Sequence, residues 1–396
     1  GDIALNQHYQ LQALAFYKQN NQFRYGLVPD SVVFPETNYQ QNYHHSGVAF
    51  SLINDNDLAK SFHYQPAIQF EHFEGLNGTN NNWINFNSPL NYTFNSGNKV
   101  NFDLLYSYNQ YNPKSATAIT NSIFRIEPSL ELNKFNSLIK LGVSPSFTKD
   151  GFNLYPIVSF SKKLTDTNYV LSAGWNTQLV NNSYTSLVTT NPWINIPGQM
   201  EVTTHDKKFV AVQINAGKRL NYGFEISIND YTNLPLFNKQ MGTDRSQFGL
   251  LYTAIFEKKA STIQLDANLR YQFSDKLLVV NKFKYIQFNA LEVNAKPWGI
   301  LPLELSSKLN WTPSTKWNLE GGLKYFTGAV MYNEQTIPMD AKNALDINAT
   351  INYKLSPKWN AWIKADNLLD RPYERWSDYP SLGVQLMAGV VYSFRK

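Results

Sequence analysis

The sequence predicts an all-β chain folded as a transmembrane antiparallel β-barrel, and three observations carry that expectation. The first is alternation. In Gly383–Phe394 the residues Val384, Leu386, Ala388, Val390, Tyr392 and Phe394 share one apolar face, and Gln385, Met387, Gly389, Val391 and Ser393 share a mixed one, as in a strand with lipid on one side and a wetter space on the other. The second is composition. Aromatic residues make up 15% of the 396-residue chain, almost as much as the 16% that is charged, which suits a barrel with aromatic girdles and a polar interior. The third is the spacing of connections, in which tight turns alternate with longer polar loops.

Other bulk properties narrow the class. A mean hydropathy of -0.38 reflects alternation, which averages lipid-facing and inward-facing residues together. No stretch approaches 18 consecutive apolar residues, so spanning by a helix is excluded and only a closed barrel serves. The chain has no cysteine, which removes disulfides, thiolate metal sites and cysteine nucleophiles. A net charge of +5 without a basic run argues against nucleic acid as a partner. Residues 1–396 read as one barrel domain, with 1–10 a periplasmic lead-in or part of the first strand. The opening GDIALNQHYQ lacks the basic and apolar regions of a signal peptide.

Taken in order, Leu11–Asn21 is a strand with poor alternation, and Arg24–Tyr43, rich in Asn, Gln and Pro, is a long loop. Strands are expected at 44–55, 61–73, 82–94, 98–111, 122–133, 136–147, 152–164 and 168–182. Asn56-Asp57, Asn95 to Asn98, Asn133-Lys134 and Thr165 to Asn168 supply tight turns, because Asn, Asp and Gly tolerate positive φ. Looser connections lie at Glu74–Asn81 and Asn112–Asn121. A loop over Asn182–Asp206 precedes strands at 207–219 and 222–231, and a second over Thr232–Ser261 carries some strand of its own. Beyond it the pattern is cleanest: Ile263, Leu265, Ala267, Leu269, Tyr271 and Phe273 alternate with Gln264, Asp266, Asn268, Arg270 and Gln272. Leu345, Ile347, Ala349, Ile351 and Tyr353 alternate with Asp346, Asn348, Thr350 and Asn352. The count comes to about 18 strands, with 16 or 20 as alternatives. An even number leaves the N- and C-termini periplasmic and the long loops extracellular.

The inward faces place a set of charges on the lumen: Asp266, Arg270, Lys282, Lys284, Glu304, Lys308, Glu320, Lys324, Asp346, Lys364 and Asp366. They are either the lining of a polar channel or a paired network filling the lumen, and their mixed signs argue against strong ion selectivity. Phe94, Phe273, Trp311, Trp317, Tyr353, Trp359 and Phe394 stand at turns or at the C-terminal end, as a periplasmic aromatic girdle would. No metal or cofactor site is expected. His44 and His45 are adjacent, as are no other two of the six histidines, and neighbours in a strand point to opposite faces. Asp370, Glu374 and Asp378 do not have the spacing of a calcium loop. His45-Ser46 and His205-Asp206 are adjacent pairs rather than a triad, and no GxSxG, HExxH, Walker or dinucleotide motif occurs, so the chain is not read as an enzyme. Asn191–Trp193, Lys296–Trp298 and Tyr373–Tyr379 are aromatic loops suited either to a ligand or partner or to stability alone.

Asn367–Phe394, NLLDRPYERWSDYPSLGVQLMAGVVYSF, resembles the C-terminal end of TonB-dependent receptor barrels through Asn367, Leu368, Asp370, Tyr373, Pro380, Gly383 and Phe394. The resemblance implies an outer-membrane barrel of that type in the bacterial cell outer membrane, in contact with its lipid. Such receptors carry an N-terminal plug inside a barrel of about 22 strands, and no plug-like segment precedes the first strand here. The expected function is therefore a plug-less, porin-like transport barrel for small solutes. The alternative is a non-transporting barrel that serves as a scaffold or subunit of an envelope complex, with a protein partner at its extracellular or periplasmic loops.

Overall fold

A β-strand crossing lipid must pair both edges, and almost the whole chain is spent doing so. The structure, a computed structural model, describes residues 2–4, 9–24, 40–54, 61–114, 116–164, 168–217, 219–239, 252–332 and 338–394. Eighteen antiparallel strands follow one another round the wall. They are β1 (Tyr9–Phe23), β2 (Gln40–Asn54), β3 (Phe62–Tyr64 and Ala67–Glu74), β4 (Asn80–Ser88 and Leu90–Thr93), β5 (Lys99–Asn112) and β6 (Ile119–Lys134). Next come β7 (Ser137–Thr148), β8 (Gly151–Lys163), β9 (Tyr169–Asn181), β10 (Val202–Ala216), β11 (Leu220–Lys239) and β12 (Tyr252–Ser274). The last are β13 (Leu277–Leu291), β14 (Leu303–Ser314), β15 (Trp317–Phe326), β16 (Ala344–Lys354), β17 (Trp359–Asp366) and β18 (Gln385–Tyr392). Each pairs with its neighbour in sequence.

The two interrupted strands have one cause. Pro66 and Pro89 have no N–H to give the ladder, so β3 and β4 break beside each other. The gap is stitched by Leu52 N–H to the Pro66 carbonyl and Gln65 N–H to the Pro89 carbonyl. A short strand, Asp2–Ala4, lies along the first edge of β1, pairing with Gln10 to Gln12. Among the described residues β18 is paired with β17 alone.

Most expected strands fall within a few residues of the observed ones. β1 is longer than the expected Leu11–Asn21, and its poor alternation has a physical reason: Phe16 points inward, lying over Gly47 and edge-on to His45 at 4.9 Å. The expected loop to Tyr43 ends earlier, at Gln40, where β2 begins; residues 25–39 lie outside the described ones, as do Asn56 and Asp57. The turn expected at Asn133-Lys134 is displaced to Phe135-Asn136, whose φ values of 53° and 56° make the two-residue hairpin, while Lys134 pairs with Ser137. The expected loop Thr232–Ser261 is largely strand. β11 and β12 form a hairpin of 20 and 23 residues that runs well past its neighbours. Asn233, at φ 55°, drops out of the ladder between Thr232–Lys259 and Leu234–Glu257, and the register is unchanged on either side.

Turns and loops segregate to opposite ends. One end has short connections, among them 135–136, 275–276, 315–316 and 355–358; the other has 182–201, 292–302, 327–343 and 367–384. The exception is the two-residue turn Lys149-Asp150 on the loop side. The outward face is apolar and exposed, as at Phe224, Ile226, Ile228, Leu305, Leu309 and Ile363. At the turn end the aromatic residues cluster: Phe273 is edge-on to Tyr271 at 4.2 Å, Trp317 lies 4.4 Å from Tyr353, and Trp359 lies 4.7 Å from Tyr392.

This face assignment makes a paired prediction. Ile226, opposite Val210 and Leu265, sits mid-strand on the apolar face, and Ile226→Lys is expected to cost ~2–4 kcal/mol in a bilayer. Gln213→Lys, on the inward face, is expected to cost under about 1 kcal/mol. Urea unfolding in liposomes followed by tryptophan fluorescence measures both, and equal losses would reject the assignment.

Candidate functional site

The inward faces of the strands enclose a polar space, and the site is best built from its loop-side mouth downward. Connection 182–201 does not stand out in solvent. It folds into the mouth and carries one helix, α1 (Tyr184–Thr190), started by a capping box between Ser183 and Ser186. Inward-facing asparagines of the wall hold it. Asn109 Nδ2 donates to the Asn182 carbonyl at 2.7 Å, Asn81 Oδ1 accepts from the Tyr184 amide at 2.7 Å, and Asn121 Nδ2 donates to the Met200 carbonyl at 2.8 Å. Asn81 Nδ2 in turn donates to Asn109 Oδ1. Two tyrosines add to this, Tyr111 donating to the Pro197 carbonyl and Tyr43 to that of Pro192.

The other loops close over the remaining half. Trp193 stacks on Tyr379 with ring centres 4.0 Å apart, and Tyr252 donates to the Ser377 carbonyl at 3.0 Å. Arg375 lies over the Trp376 ring at 4.1 Å and donates to the Gly299 carbonyl; burial brings this guanidinium down to about 10. Lys239, at the top of β11, is buried against Asp378. Glu257 on β12 accepts from the amides of Glu292, Val293 and Asn294 and from the Asn294 side chain. The result is one buried cluster across the mouth, including Tyr43, Phe73, Tyr184, Ile194, Tyr252 and Trp376. Tyr184 is fully buried there, and burial pushes its hydroxyl up to about 12.

The loops and residue pairs singled out from the sequence take these places. The aromatic loops Asn191–Trp193, Lys296–Trp298 and Tyr373–Tyr379 turn inward and pack on each other, leaving Trp298 2% exposed. Of the acids in the last loop, Asp370 Oδ1 accepts from the Val384 amide, Glu374 accepts from the Asp378 amide, and Asp378 pairs with Lys239. The NLLD motif is itself a fastening: Asn367 Nδ2 donates to the Arg371 and Leu382 carbonyls, and a side chain at Gly383 would strike Asp370. His45 and Ser46 point to opposite faces, as do His205 and Asp206; His45 pairs with Glu71 at 2.9 Å and His205 with Asn229 at 2.8 Å.

Beneath the cap lies a chamber of about 990 Å³ lined by β1–β6 and β9, with Ser183, Thr185 and Ser186 as its roof. Its charges are matched. Glu71 holds His45, Arg125 pairs with Glu127 at 2.7 Å and donates to Ser144, and Lys207 pairs with Glu225 on the adjoining wall. Sequence reasoning did not select these residues, because the alternation of β2–β6 is less regular; the signal available was the inward parity of His45, Glu71, Arg125 and Glu127.

The opposite wall holds all eleven charges selected from the sequence. Register aligns Asp266, Lys284 and Glu304 in one row, Lys282, Lys324 and Asp346 in the next, and Arg270 and Lys308 below. Glu320 and Lys364 flank Thr350 in a further row, and Lys364 pairs with Asp366 at 2.7 Å. Asp266 instead accepts from Gln264, Glu320 from Asn318, and Asp346 from Tyr373. Among the described residues no group of three or more metal-ligating side chains forms.

No family model and no curated relative matches the chain. Solved structures do. The ferric enterobactin receptor PfeA from Pseudomonas aeruginosa superposes with a TM-score of 0.71 at 13% identity, over 99% of this chain and 68% of that one. The siderophore receptor PirA from Acinetobacter baumannii gives 0.72 at 11%, over 99% and 69%. FpvA from P. aeruginosa, bound to a pyoverdine, gives 0.69 at 11%, over 99% and 63%. In fold, this chain is a β-barrel of the kind seen in these siderophore receptors.

Proposed function

We propose that this chain forms the wall of an outer-membrane transport protein for small solutes, with its loop side outward and its turn side and both termini toward the periplasm. One observation carries the reading. The lumen holds a roofed chamber rather than a filled core, and one of its walls keeps charged side chains on its inner face. By likeness of fold, iron chelates of the kind named for the neighbouring structures are a natural solute class. The cap acts as a gate in this reading, because it seals the mouth by hydrogen bonds and aromatic contacts between separate loops, each able to part without breaking the wall. In its porin-like version solute passes with no plug in the lumen.

A second reading is a barrel that transports nothing and serves as a scaffold in an envelope complex. What favours it is the number of bonds that hold 182–201 down, which makes closure a stable state.

Planar-bilayer recording of the folded 396-residue chain separates the two. For the transport reading, Trp193→Ala combined with Asn109→Ala is expected to raise the open probability at least several-fold over the parent chain, since each change removes a contact worth roughly 1 kcal/mol or more. A folded barrel that stays silent in both forms sinks that reading.

Glu257 tests the fastening itself. Glu257→Ala leaves three backbone amides without their acceptor and is expected to weaken closure of 292–302 by roughly 2–3 kcal/mol, seen as faster cleavage there in limited proteolysis. Burial alone would raise this carboxyl, but the bonds from Asn294 and the 292–294 amides hold it below the usual range. The clamp is therefore intact at neutral pH and lost only on acidification below the usual glutamate range, so the parent chain should become as cleavable as the variant only in acid.

A further inference from the structure

The two halves of the lumen treat charge differently. On the β2–β11 side Arg125, which lines the chamber, pairs with Glu127, and Lys99 and Lys207 pair with Glu131 and Glu225. On the β12–β15 side, Arg270, Lys282, Lys284, Lys308 and Lys324 have no carboxylate within ion-pair distance and no hydrogen-bond partner among the described residues.

Their placement is not scattered. Arg270 is opposite Val280, and Lys282 stands two residues further along that strand. Lys282 is opposite Ser306, with Lys308 two residues on, and Lys308 is opposite Gly322, with Lys324 two residues on. Arg270, Lys282, Lys308 and Lys324 are thus successive diagonal neighbours across four adjacent strands, a spacing of about 7–8 Å at each step. Like charges so arranged repel one another and weaken a sheet. Asp266 and Glu304 lie opposite Lys284, and Asp346 opposite Lys324, which offsets part of this repulsion; none is within ion-pair distance, and Asp266 and Asp346 accept instead from Gln264 and Tyr373.

Two cavities open on this zigzag. One of about 730 Å³ is lined by Arg270, Lys282, Lys284 and Lys324, and one of about 390 Å³ by Lys308, Lys324 and Lys364. They share Val280, Ser306 and Lys324. Their lining carries six cationic groups against the three carboxylates Asp266, Glu304 and Glu320, with Asn268, Ser306 and Asn348 as neutral donors between them. Such a surface suits an anion with two or more charged groups spaced to bridge neighbouring lysines.

We propose that the β12–β15 wall is a binding track for a small multivalent anion bearing carboxylate or phosphate groups. The proposal rests on the reading of the lumen as a solute path, and it names the solute class that path takes.

The test is calorimetric titration of the detergent-folded full chain with citrate in one arm and pyrophosphate in the other. Three proteins are compared: the parent, Lys282→Gln/Lys308→Gln, and a control, Lys258→Gln/Lys259→Gln, whose lysines are highly exposed at the loop side. Strand content and the heat-modifiable gel shift check folding in each. The expected result is binding to parent and control, and binding about tenfold weaker to the lumen variant, in one or both arms; the stronger arm identifies the group. No binding to the parent, equal binding to all three, or saturation by a glutamate-rich peptide but by neither small anion overturns it. Bilayer conductance is read separately: binding without conductance removes the transport reading and keeps the track, and conductance without binding does the reverse.

Discussion

A backbone amide inside a bilayer has no water to fall back on, and this requirement governs the rest of the molecule. Pairing each strand with its sequence neighbour meets it along the wall from β1 to β18 at least topological cost, and pairing fixes register. Register then fixes which side chains face lipid and which face the lumen. That is why Lys282 and Ser306, or Asp266 and Lys284, meet at all: they are far apart in sequence, but a ladder puts them opposite each other. At Pro66 and Pro89, two of the places where the ladder is denied a donor, the damage is confined by placing both breaks together.

Satisfying the wall leaves the mouth as the one place where choice remains. The long β11–β12 hairpin raises Lys239 and Glu257 above the other strands, so a buried ion pair and a four-bond carboxylate clamp can hold loops that belong to different parts of the wall. Asparagine does the same on the other side. Its side chain both donates and accepts, so Asn81 can hold the Tyr184 amide while donating to Asn109. The cap is therefore polar where it meets the wall and aromatic where the loops meet each other, as between Trp193 and Tyr379.

The wall was largely legible in the sequence because its signal is local. Alternation over ten residues is enough to place β12 or β16, and the eleven inward charges of β12–β17 follow from parity alone. The cap was not legible, because nothing in Asn191–Trp193 says that Tyr379, nearly two hundred residues away, will stack on it. Nor was the turn at Phe135-Asn136, where a bulky residue accepts a positive φ that its chemistry disfavours because the flanking register leaves two residues to close the hairpin. The paired charges of β3 and β6 were hidden for a related reason. Aromatic and small residues appear on both faces of β1–β5, so polarity no longer marks the side.

The same division between wall and mouth explains how a fold can persist at 11–13% identity. Lipid asks only that outward positions be apolar, and Ile, Leu, Val and Phe meet that demand equally, so the wall drifts freely while its geometry stays. A fastening has less freedom. Asn367 needs one amide group to reach both the Arg371 and Leu382 carbonyls, Asp370 needs a carboxylate at the Val384 amide, and Gly383 needs the absence of a side chain beside it. The stretch through which the sequence resembles one receptor class is thus a loop fastening that leads into the closing strand. It reports how the barrel is finished, while the charges of the inner wall follow from the register of β12–β17.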